Sequence, residues 1–99
     1  MEDKILNLLH LARKAGKLQF GFDACERSCF SSHAKLVIYA SDLSHNTRKN
    51  LIEMVQANNV KSIVLSTKKN FGSTFKIRET GIITVNDSNF AKGILSLIV

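Results

Sequence analysis

With 99 residues, 44% of them hydrophobic, five glycines and no proline, the chain is predicted to form a single domain over residues 1–99. Fourteen lysines and arginines against eight aspartates and glutamates give a net charge of +6, which favours polyanionic partners. Because no segment approaches the roughly 20 apolar residues that span a bilayer and the first residues lack the basic start of a secretory signal, we expect a cytoplasmic protein without a membrane partner.

The first half of the chain alternates helical and extended patterns. Apolar residues at helical spacing predict a helix over 3–15 that Gly16 ends, and a short extended piece follows over 17–20. Gly21 opens a second helix of about ten residues, whose small side chains suit close packing against a sheet. The β-branched and apolar run over 34–40 is too short for most helices and predicts a central strand, buried on both faces.

The second half continues this alternation, which predicts an α/β protein. Capping oxygens in 41–44 precede a helix over about 45–57. Strands that alternate with helices imply crossover connections and helices on both faces of the sheet. We therefore predict a three-layer α/β/α sandwich with a mixed, mostly four-stranded sheet. The remaining elements are a strand over 60–65, a helix over 68–74 capped by Thr67, a strand over 81–85 and a helix from Asp87 to about 97.

The two cysteines are the first candidates for chemistry. Cys25 and Cys29 lie four residues apart, on one face of the second helix, and a histidine could in principle complete a metal site with them. Structural zinc sites need four ligands with loop-like spacings, and His10, His33 and His45 show none. We therefore predict packing cysteines, which behave as small buried hydrophobes, and we expect no metal and no cofactor.

Catalytic patterns are also missing from the sequence. The glycines stand singly, so neither phosphate-binding loop pattern occurs. A nucleophilic cysteine would need a base held nearby, and no Cys–His–acid set has a recognisable local pattern. Asp23 and Glu26 share a helix start, where the macrodipole stabilises negative charge without any acid–base role. We therefore predict that the protein is not an enzyme.

Basic residues gather near the end of the first helix, on the second helix and around the fourth helix and its following loop. A run of charges is usually only a solvated face, and charge alone leaves open whether these groups share one edge. The residues concerned are Arg13, Lys14, Lys17, Arg27, Lys68, Lys69, Lys76 and Arg78.

The stretch over 21–42 contains Gly-Phe-Asp-Ala-Cys-Glu-Arg and then His-Ala-Lys-Leu-Val-Ile-Tyr-Ala-Ser-Asp. It resembles the kink-turn-binding ribosomal proteins of the L-seven-Ae and L-thirty-e family. In that family a glycine begins a helix, a basic residue follows six positions later, and an Ala-Lys-Leu-Val strand ends in a short acidic loop. Gly21, Arg27 and residues 34–37 fall at these offsets without a gap. The likeness extends to 11–18, 41–49 and 67–72 and looks closest to small bacterial YlxQ-like members.

This resemblance implies the same sandwich and an RNA-binding edge formed by the start of the second helix and the loop before the last strand. The helix start would meet tandem sheared G·A pairs of a sharply bent RNA, basic side chains would hold its backbone, and apolar loop residues would cover an extruded base. The predicted RNA-binding residues are Lys14, Lys17, Gly21, Phe22, Asp23, Arg27, Lys76, Ile77, Arg78 and Glu79.

Each role has a physical basis. Gly21 permits close approach of the backbone to RNA, and a helix N-terminus offers N–H groups that favour phosphate. Arg27 can present a guanidinium fork to phosphate or to a guanine edge. Phe22 either stacks on a base or packs against the second helix.

Two positions depart from the family pattern. Asp23 and Ala24 stand where relatives carry a neutral or basic residue followed by glutamate or glutamine. These differences favour a variant bent or internally looped RNA over a standard kink-turn. We therefore predict a monomeric, ribosome-associated protein whose partners are structured RNA, with ribosomal RNA the expected one, and ribosomal proteins. A protein-interaction adaptor on the same fold, with weakened RNA recognition, is the alternative.

Overall fold

The computed structural model describes residues 2–78 and 80–98, which form five helices and a four-stranded sheet. The α/β class, the helix on each predicted segment and the mixed sheet are confirmed. The elements are α1 (Glu2–Lys14), β1 (Leu18–Phe20), α2 (Phe22–Phe30), β2 (Leu36–Tyr39), α3 (His45–Ala57), β3 (Lys61–Val64), α4 (Lys68–Phe75), β4 (Ile82–Val85) and α5 (Ser88–Ser96).

The strands lie in the order β1-β4-β2-β3. β4 runs antiparallel to both of its neighbours, with Ile83 opposite Phe20 on one side and Ile38 on the other, while β2 and β3 are parallel. β1, β2 and β3 therefore all end at the edge where β4 begins. The extended piece expected at 17–20 is a paired edge strand, and β2 is the central strand predicted from its apolar run.

Helices cover both faces of the sheet, as predicted. On one face, α1, α4 and α5 bury Leu9, Phe71 and Ile94 against alternate sheet residues such as Ile38 and Ile83. The alternation follows from the two-residue period of a strand, which sends neighbouring side chains to opposite faces.

On the other face, α2 and α3 bury Cys25, Cys29 and Leu51 against Val37 and Ile82. The small side chains of α2 allow this helix to lie close to the sheet. Because both faces of the central strands are covered, β2 and β4 are buried along their length apart from the half-buried Tyr39.

Side-chain caps fix the start of three helices, as their sequences predict. The side chains of Ser44, Thr67 and Asp87 accept hydrogen bonds from backbone N–H groups in the first turns of α3, α4 and α5. Each cap satisfies one of the donors that a helix start leaves unpaired. Within the described residues, no helix is both long enough and apolar enough to cross a membrane.

Candidate nucleic-acid interface

Four segments meet where β1, β2 and β3 end and β4 begins. The Gly21 N–H donates to the Ile82 carbonyl at 2.9 Å, and the Ala40 N–H donates to the Gly81 carbonyl at 2.8 Å. On the other side of β2, the Ser41 N–H donates to the Ser66 carbonyl at 2.9 Å. We call this surface the upper edge; it consists of Gly21 and the segments 40–44, 65–67, 76–78 and 80–81.

The start of α2 lies on the upper edge and carries no side-chain cap. Gly21 has φ 96° and ψ 165°, a backbone conformation that L side chains rarely adopt. A Cβ at this position would meet no atom within 4 Å, so the dihedral angles, not crowding, favour glycine. The first N–H groups of a helix have no intrahelical partner, and at α2 no side-chain cap accepts from them.

The side chains of α2 divide between solvent and core. Asp23 and Arg27 are exposed and lie four residues apart, hence on one stripe of the helix. Phe22 is half-buried and packs against the cluster between α2 and α3, as the packing alternative predicted. Ala24 is half-buried beside it. The exposed charged residues of α2 are therefore Asp23, Glu26 and Arg27, with Asp23 and Arg27 about one turn apart on the same stripe.

The loop after α4 brings further cations to the upper edge. Lys76 adopts the left-handed conformation, with φ 54° and ψ 48°, and its N–H donates to the Gly72 carbonyl. Ile77 is half-buried and packs against the core on the α1–α4–α5 face. Lys76 and Arg78 are exposed. Glu79, which completes the predicted set, lies outside the described residues.

Arg13 contacts the last residue of α4, from which this loop begins. Its guanidinium Nη1 donates to the Phe75 carbonyl at the end of α4, and its charged carbon lies 5.4 Å from the centroid of the Phe20 ring. Arg13 therefore joins α1 to the end of β1 and to the last turn of α4. The sequence grouped Arg13 with the other cations of the first helix and gave no signal for this contact.

Other upper-edge residues had no assigned role in the sequence. The Asp42 carboxylate accepts from the Lys68 N–H at 2.9 Å and so ties the loop after β2 to the start of α4. Gly81 lies beneath two side chains, because a Cβ there would come within 2.2 Å of Leu43 Cδ2 and 3.1 Å of Lys68 Cγ. The resembling stretches 41–49 and 67–72 contain Asp42, Leu43 and Lys68, and that is the signal by which these three could have been found; Gly81 lies outside both stretches.

Lys14 and Lys17 are not brought to this surface. Lys17 precedes β1, whereas Gly21 follows it, and the Lys17 carbonyl accepts from the Asn86 N–H beyond the far end of β4. Lys14 is exposed at the end of α1, near Lys17. The predicted set therefore divides: Gly21, Phe22, Asp23, Arg27, Lys76, Ile77 and Arg78 belong to the upper edge or to the helix that begins there, and the two lysines lie at the opposite edge.

Both cysteines pack in the core, as predicted. Cys25 is 0% exposed and Cys29 is 3% exposed. Burial raises the pKa of the Cys25 thiol, and burial together with the neighbouring Cys25 raises the pKa of Cys29 to about 12. Reactive cysteines have a lowered pKa, so these thiols are protonated and inert at neutral pH.

Residues 3–93 match the ribosomal protein L7Ae/L30e/S12e/Gadd45 family. The chain belongs to this family. Its members are RNA-binding proteins and not enzymes, in agreement with the prediction from the sequence. No curated protein sequence matches the chain.

Solved structures share the fold. A Bacillus halodurans protein of unknown function is 27% identical, with a TM-score of 0.89 and a match over 96% of each chain. A 15.5 kD RNA-binding protein from Giardia lamblia is 17% identical, with a TM-score of 0.76 over 94% of this chain and 82% of its own. At this lower identity the likeness concerns the fold alone.

Proposed function

We propose that residues 1–99 form a single RNA-binding domain that holds a bent or internally looped, kink-turn-like RNA at the upper edge. One observation carries the proposal: the uncapped start of α2 and the cationic loop after α4 meet at the same end of the sheet, through the hydrogen bond from Gly21 to Ile82. Membership of a family of RNA-binding proteins supports the choice of ligand.

The upper edge recognises RNA through backbone donors and charge. The N–H groups at the start of α2 donate to phosphate or to base edges, and the absence of a side chain at Gly21 lets the RNA approach. Lys76 and Arg78 attract the phosphate backbone, which fixes position without reading sequence. Arg27, farther along α2, supplies a planar fork of donors to phosphate or guanine.

Ile77 and Phe22 serve mainly to hold this geometry. Both are half-buried and pack against opposite cores of the molecule. Their partly exposed apolar surface lies against the unpaired bases of a bent RNA. Recognition of such an RNA depends largely on its shape, since proteins read structured RNA mostly through backbone, 2′-hydroxyl groups and splayed bases.

The finer assignment follows the same resemblance. We infer that the protein is a ribosome-associated member of the bacterial YlxQ-like branch. It acts as a cytoplasmic monomer, and its partners are ribosomal RNA and ribosomal proteins.

Titration of the chain with a kink-turn RNA and with a plain duplex of equal length tests the proposal. We expect the kink-turn RNA to bind more tightly, and Arg27→Ala to cost about 1–3 kcal/mol of that affinity, a loss of about 5- to 150-fold. Lys92→Ala, which removes one exposed positive charge on α5, is the control and should leave the preference intact. The proposed site would be contradicted if the two RNAs bind with equal affinity and Arg27→Ala leaves that affinity unchanged.

A cleft between α2 and α3 favours a second candidate, the protein-interaction adaptor. The cleft has a volume of about 440 Å³ and is lined by apolar side chains that include Phe22 and Met54. Phe30 at its end is 69% exposed, and Glu26 and Glu53 add negative charge that suits a basic amphipathic helix. Salt separates the two functions: RNA affinity falls steeply as salt rises because counterions are released, whereas an apolar protein interface resists salt.

A further inference from the structure

The end of the sheet opposite the upper edge carries a row of lysines. Lys17, Lys35 and Lys61 stand at or just before the first residue of β1, β2 and β3. The Asn86 N–H donates to the Lys17 carbonyl and the Lys35 N–H donates to the Val85 carbonyl, each at 2.8 Å, so both lysines flank the end of β4. We call this surface the lower edge; it consists of the segments 14–17, 31–35, 58–61 and 86–87.

The register of the strands sets the spacing of this row. Leu36 pairs with Lys61 in the parallel ladder, so Lys35 and Lys61 lie on adjacent strands, about 5 Å apart between strand axes. β4 lies between β1 and β2, which puts Lys17 about 10 Å from Lys35 on the same scale. The three positions therefore form a line across the end of the sheet; because Lys61 is in register with Leu36 and Lys35 stands one residue earlier, the side chains of Lys35 and Lys61 leave toward opposite faces.

The charge of the lower edge is almost entirely positive. Lys14, Lys17, Lys35 and Lys61 are all exposed. Within the four segments of the lower edge, which the structure describes in full, Asp87 is the one acidic residue. Its carboxylate already accepts the Phe90 N–H at 2.9 Å as the cap of α5. A polyanion that lies along this end of the sheet therefore meets exposed ammonium groups on both faces and little repulsion.

A polar cleft of about 290 Å³ lies against this row. Lys35 lines the cleft together with Ser32 and Asn59, both of which adopt left-handed backbone conformations, with φ 65° and 57°. The Lys35 ammonium donates to the Ser32 carbonyl at 3.2 Å and is thereby held beside the cleft. The remaining lining residues are Cys29, Ala34, Asn58 and Val60.

We propose that the lower edge is a second RNA-binding surface, which holds the sugar–phosphate backbone of a duplex segment other than the RNA at the upper edge. Lysine is a compact point charge suited to phosphate, and hydroxyl and amide groups such as those of Ser32 and Asn59 bind phosphate and ribose oxygens. No aromatic side chain is among the seven residues that line the cleft, so it lacks the anchor that centres most protein interfaces.

Two surfaces at opposite ends of the sheet would let the chain bridge two RNA segments. The molecule measures 28 × 27 × 26 Å, so segments held at the two edges are separated by the thickness of the protein. The two surfaces also differ in kind: the upper edge offers helix N–H donors and a loop, whereas the lower edge offers lysines in a line. The inference therefore goes beyond the proposed function and can fail or succeed without it.

A structural role for the same lysines makes a different prediction. α1, α2 and α3 end at the lower edge, and positive charge near a helix C-terminus is stabilising. If the lysines only balance these helix ends, neutralising them lowers the melting temperature and leaves RNA affinity unchanged. Thermal unfolding and RNA titration of the same variants separate the two roles.

The experiment is a fluorescence-anisotropy titration of a labelled, unbent RNA duplex of about 16 base pairs over a range of salt concentrations. Wild type is compared with Lys35→Gln/Lys61→Gln and with Lys49→Gln/Lys92→Gln, which removes two exposed lysines on α3 and α5. At low salt we expect Lys35→Gln/Lys61→Gln to bind at least about fivefold more weakly and the slope of log K against log salt to fall by about two. The control pair should stay close to wild type.

A native gel adds the bridging readout. Wild type mixed with kink-turn RNA and labelled duplex should form a ternary complex, which Lys35→Gln/Lys61→Gln should lose while retaining the kink-turn complex. Lys35→Arg/Lys61→Arg, which keeps the charge, should restore duplex binding and guards against a folding defect. Equal duplex affinity for the lower-edge and control pairs would overturn the inference. Duplex binding without any preference for the kink-turn RNA would instead refute the upper-edge proposal alone.

Discussion

Gly21 joins an extended strand to a helix within a single residue. Its N–H closes the antiparallel ladder with β4, while its carbonyl accepts the Cys25 N–H as the first hydrogen bond of α2. A φ of 96° makes both bonds compatible, and a side chain would strain the backbone in that region. Unlike α3, α4 and α5, α2 therefore has no hydroxyl or carboxylate as its N-cap. The first backbone N–H groups of α2 remain available to a ligand.

Asp23 sets the charge next to these donors. It lies in the first turn of α2, where it favours the helix, but it also stands on the same exposed stripe as Arg27 and opposes an approaching phosphate. We predict that Asp23→Asn raises the affinity for kink-turn RNA severalfold at low salt, because it removes this repulsion. The measurement is the same titration as for Arg27→Ala.

Glu26→Gln is the matched control for this change. Glu26 is also an exposed acid on α2, but it faces the cleft between α2 and α3. A similar gain in affinity for both variants would mean that only net charge matters and that Asp23 has no special place beside the RNA.

The sequence predicts single residues well where the backbone or a repeating pattern dictates them. Gly21, the capping residues and the packing cysteines are of this kind. Contacts between residues far apart in the chain are of another kind, because their partners depend on the folded topology. No local sequence pattern predicts the contact of Arg13 with Phe75, 62 residues later. The same holds for the packing of the Leu43 side chain against Gly81.

At the scale of elements, α4 is held at both ends by other parts of the chain. Asp42 accepts from its first N–H group, and Arg13 donates to the carbonyl of its last residue, Phe75. The cation lies over Phe20 as well, so the last turn of α4 and the loop that follows depend on α1 and β1. The shape of the cationic loop is therefore a tertiary property.

We predict that Arg13→Met lowers the free energy of unfolding by about 1–2 kcal/mol, because a hydrogen bond from a charged group and a cation–π contact are lost together. Affinity for kink-turn RNA should fall as well, since the 76–78 segment loses its support. Urea denaturation and RNA titration measure the two effects. Lys14→Met removes the neighbouring exposed charge and should do neither, so equal stability of the two variants would contradict the role of Arg13.

The elements themselves follow closely from sequence patterns. The helix expected at about 45–57 is found at His45–Ala57, and the strand runs shorten by one or two residues at their ends. Such agreement is physical, because apolar periodicity and capping side chains act locally. The pairing of β1 at the edge of the sheet was less predictable, because a segment of three residues carries too little pattern to specify its partner.

At the scale of the whole molecule, strand order decides which residues meet. The order β1-β4-β2-β3 brings 76–78 and 80–81 to the same end of the sheet as Gly21 and sends Lys14 and Lys17 to the opposite end. The resemblance of 21–42 to known proteins predicted the first of these arrangements. Charge clustering alone left open whether the cations share one edge, and the predicted RNA-binding set included Lys14 and Lys17. The two ends of the sheet share the cations, because sequence proximity to Gly21 is not proximity in space.

The buried thiols make global stability dependent on pH. Cys25 and Cys29 keep their protons to higher pH in the fold than in the unfolded chain, because burial raises their pKa values, that of Cys29 to about 12. In the unfolded chain the thiols titrate near pH 8.5. Above that pH the folded state binds more protons than the unfolded state, so stability falls as pH rises, by about 1.4 kcal/mol per pH unit for each thiol that remains protonated in the fold.

Chemical denaturation between pH 8 and pH 10 measures this loss. The comparison chain is Cys25→Ala/Cys29→Ala, which keeps every other titratable group. We expect this chain to be less stable at pH 8 and to lose stability less steeply as pH rises. Parallel curves for the two chains would show that the thiols ionise in the folded state.

The open side of β3 has a consequence for behaviour at high concentration. β3 is an outer strand of four residues with Val64 54% exposed, so its free backbone groups are a template for strand addition by another molecule. Short length and a charged residue both discourage such pairing, and Lys61 supplies the charge at the start of the strand. Lys61 therefore opposes aggregation through β3, independently of any ligand. Variants that neutralise Lys61 should be studied in dilute samples, with a check of particle size.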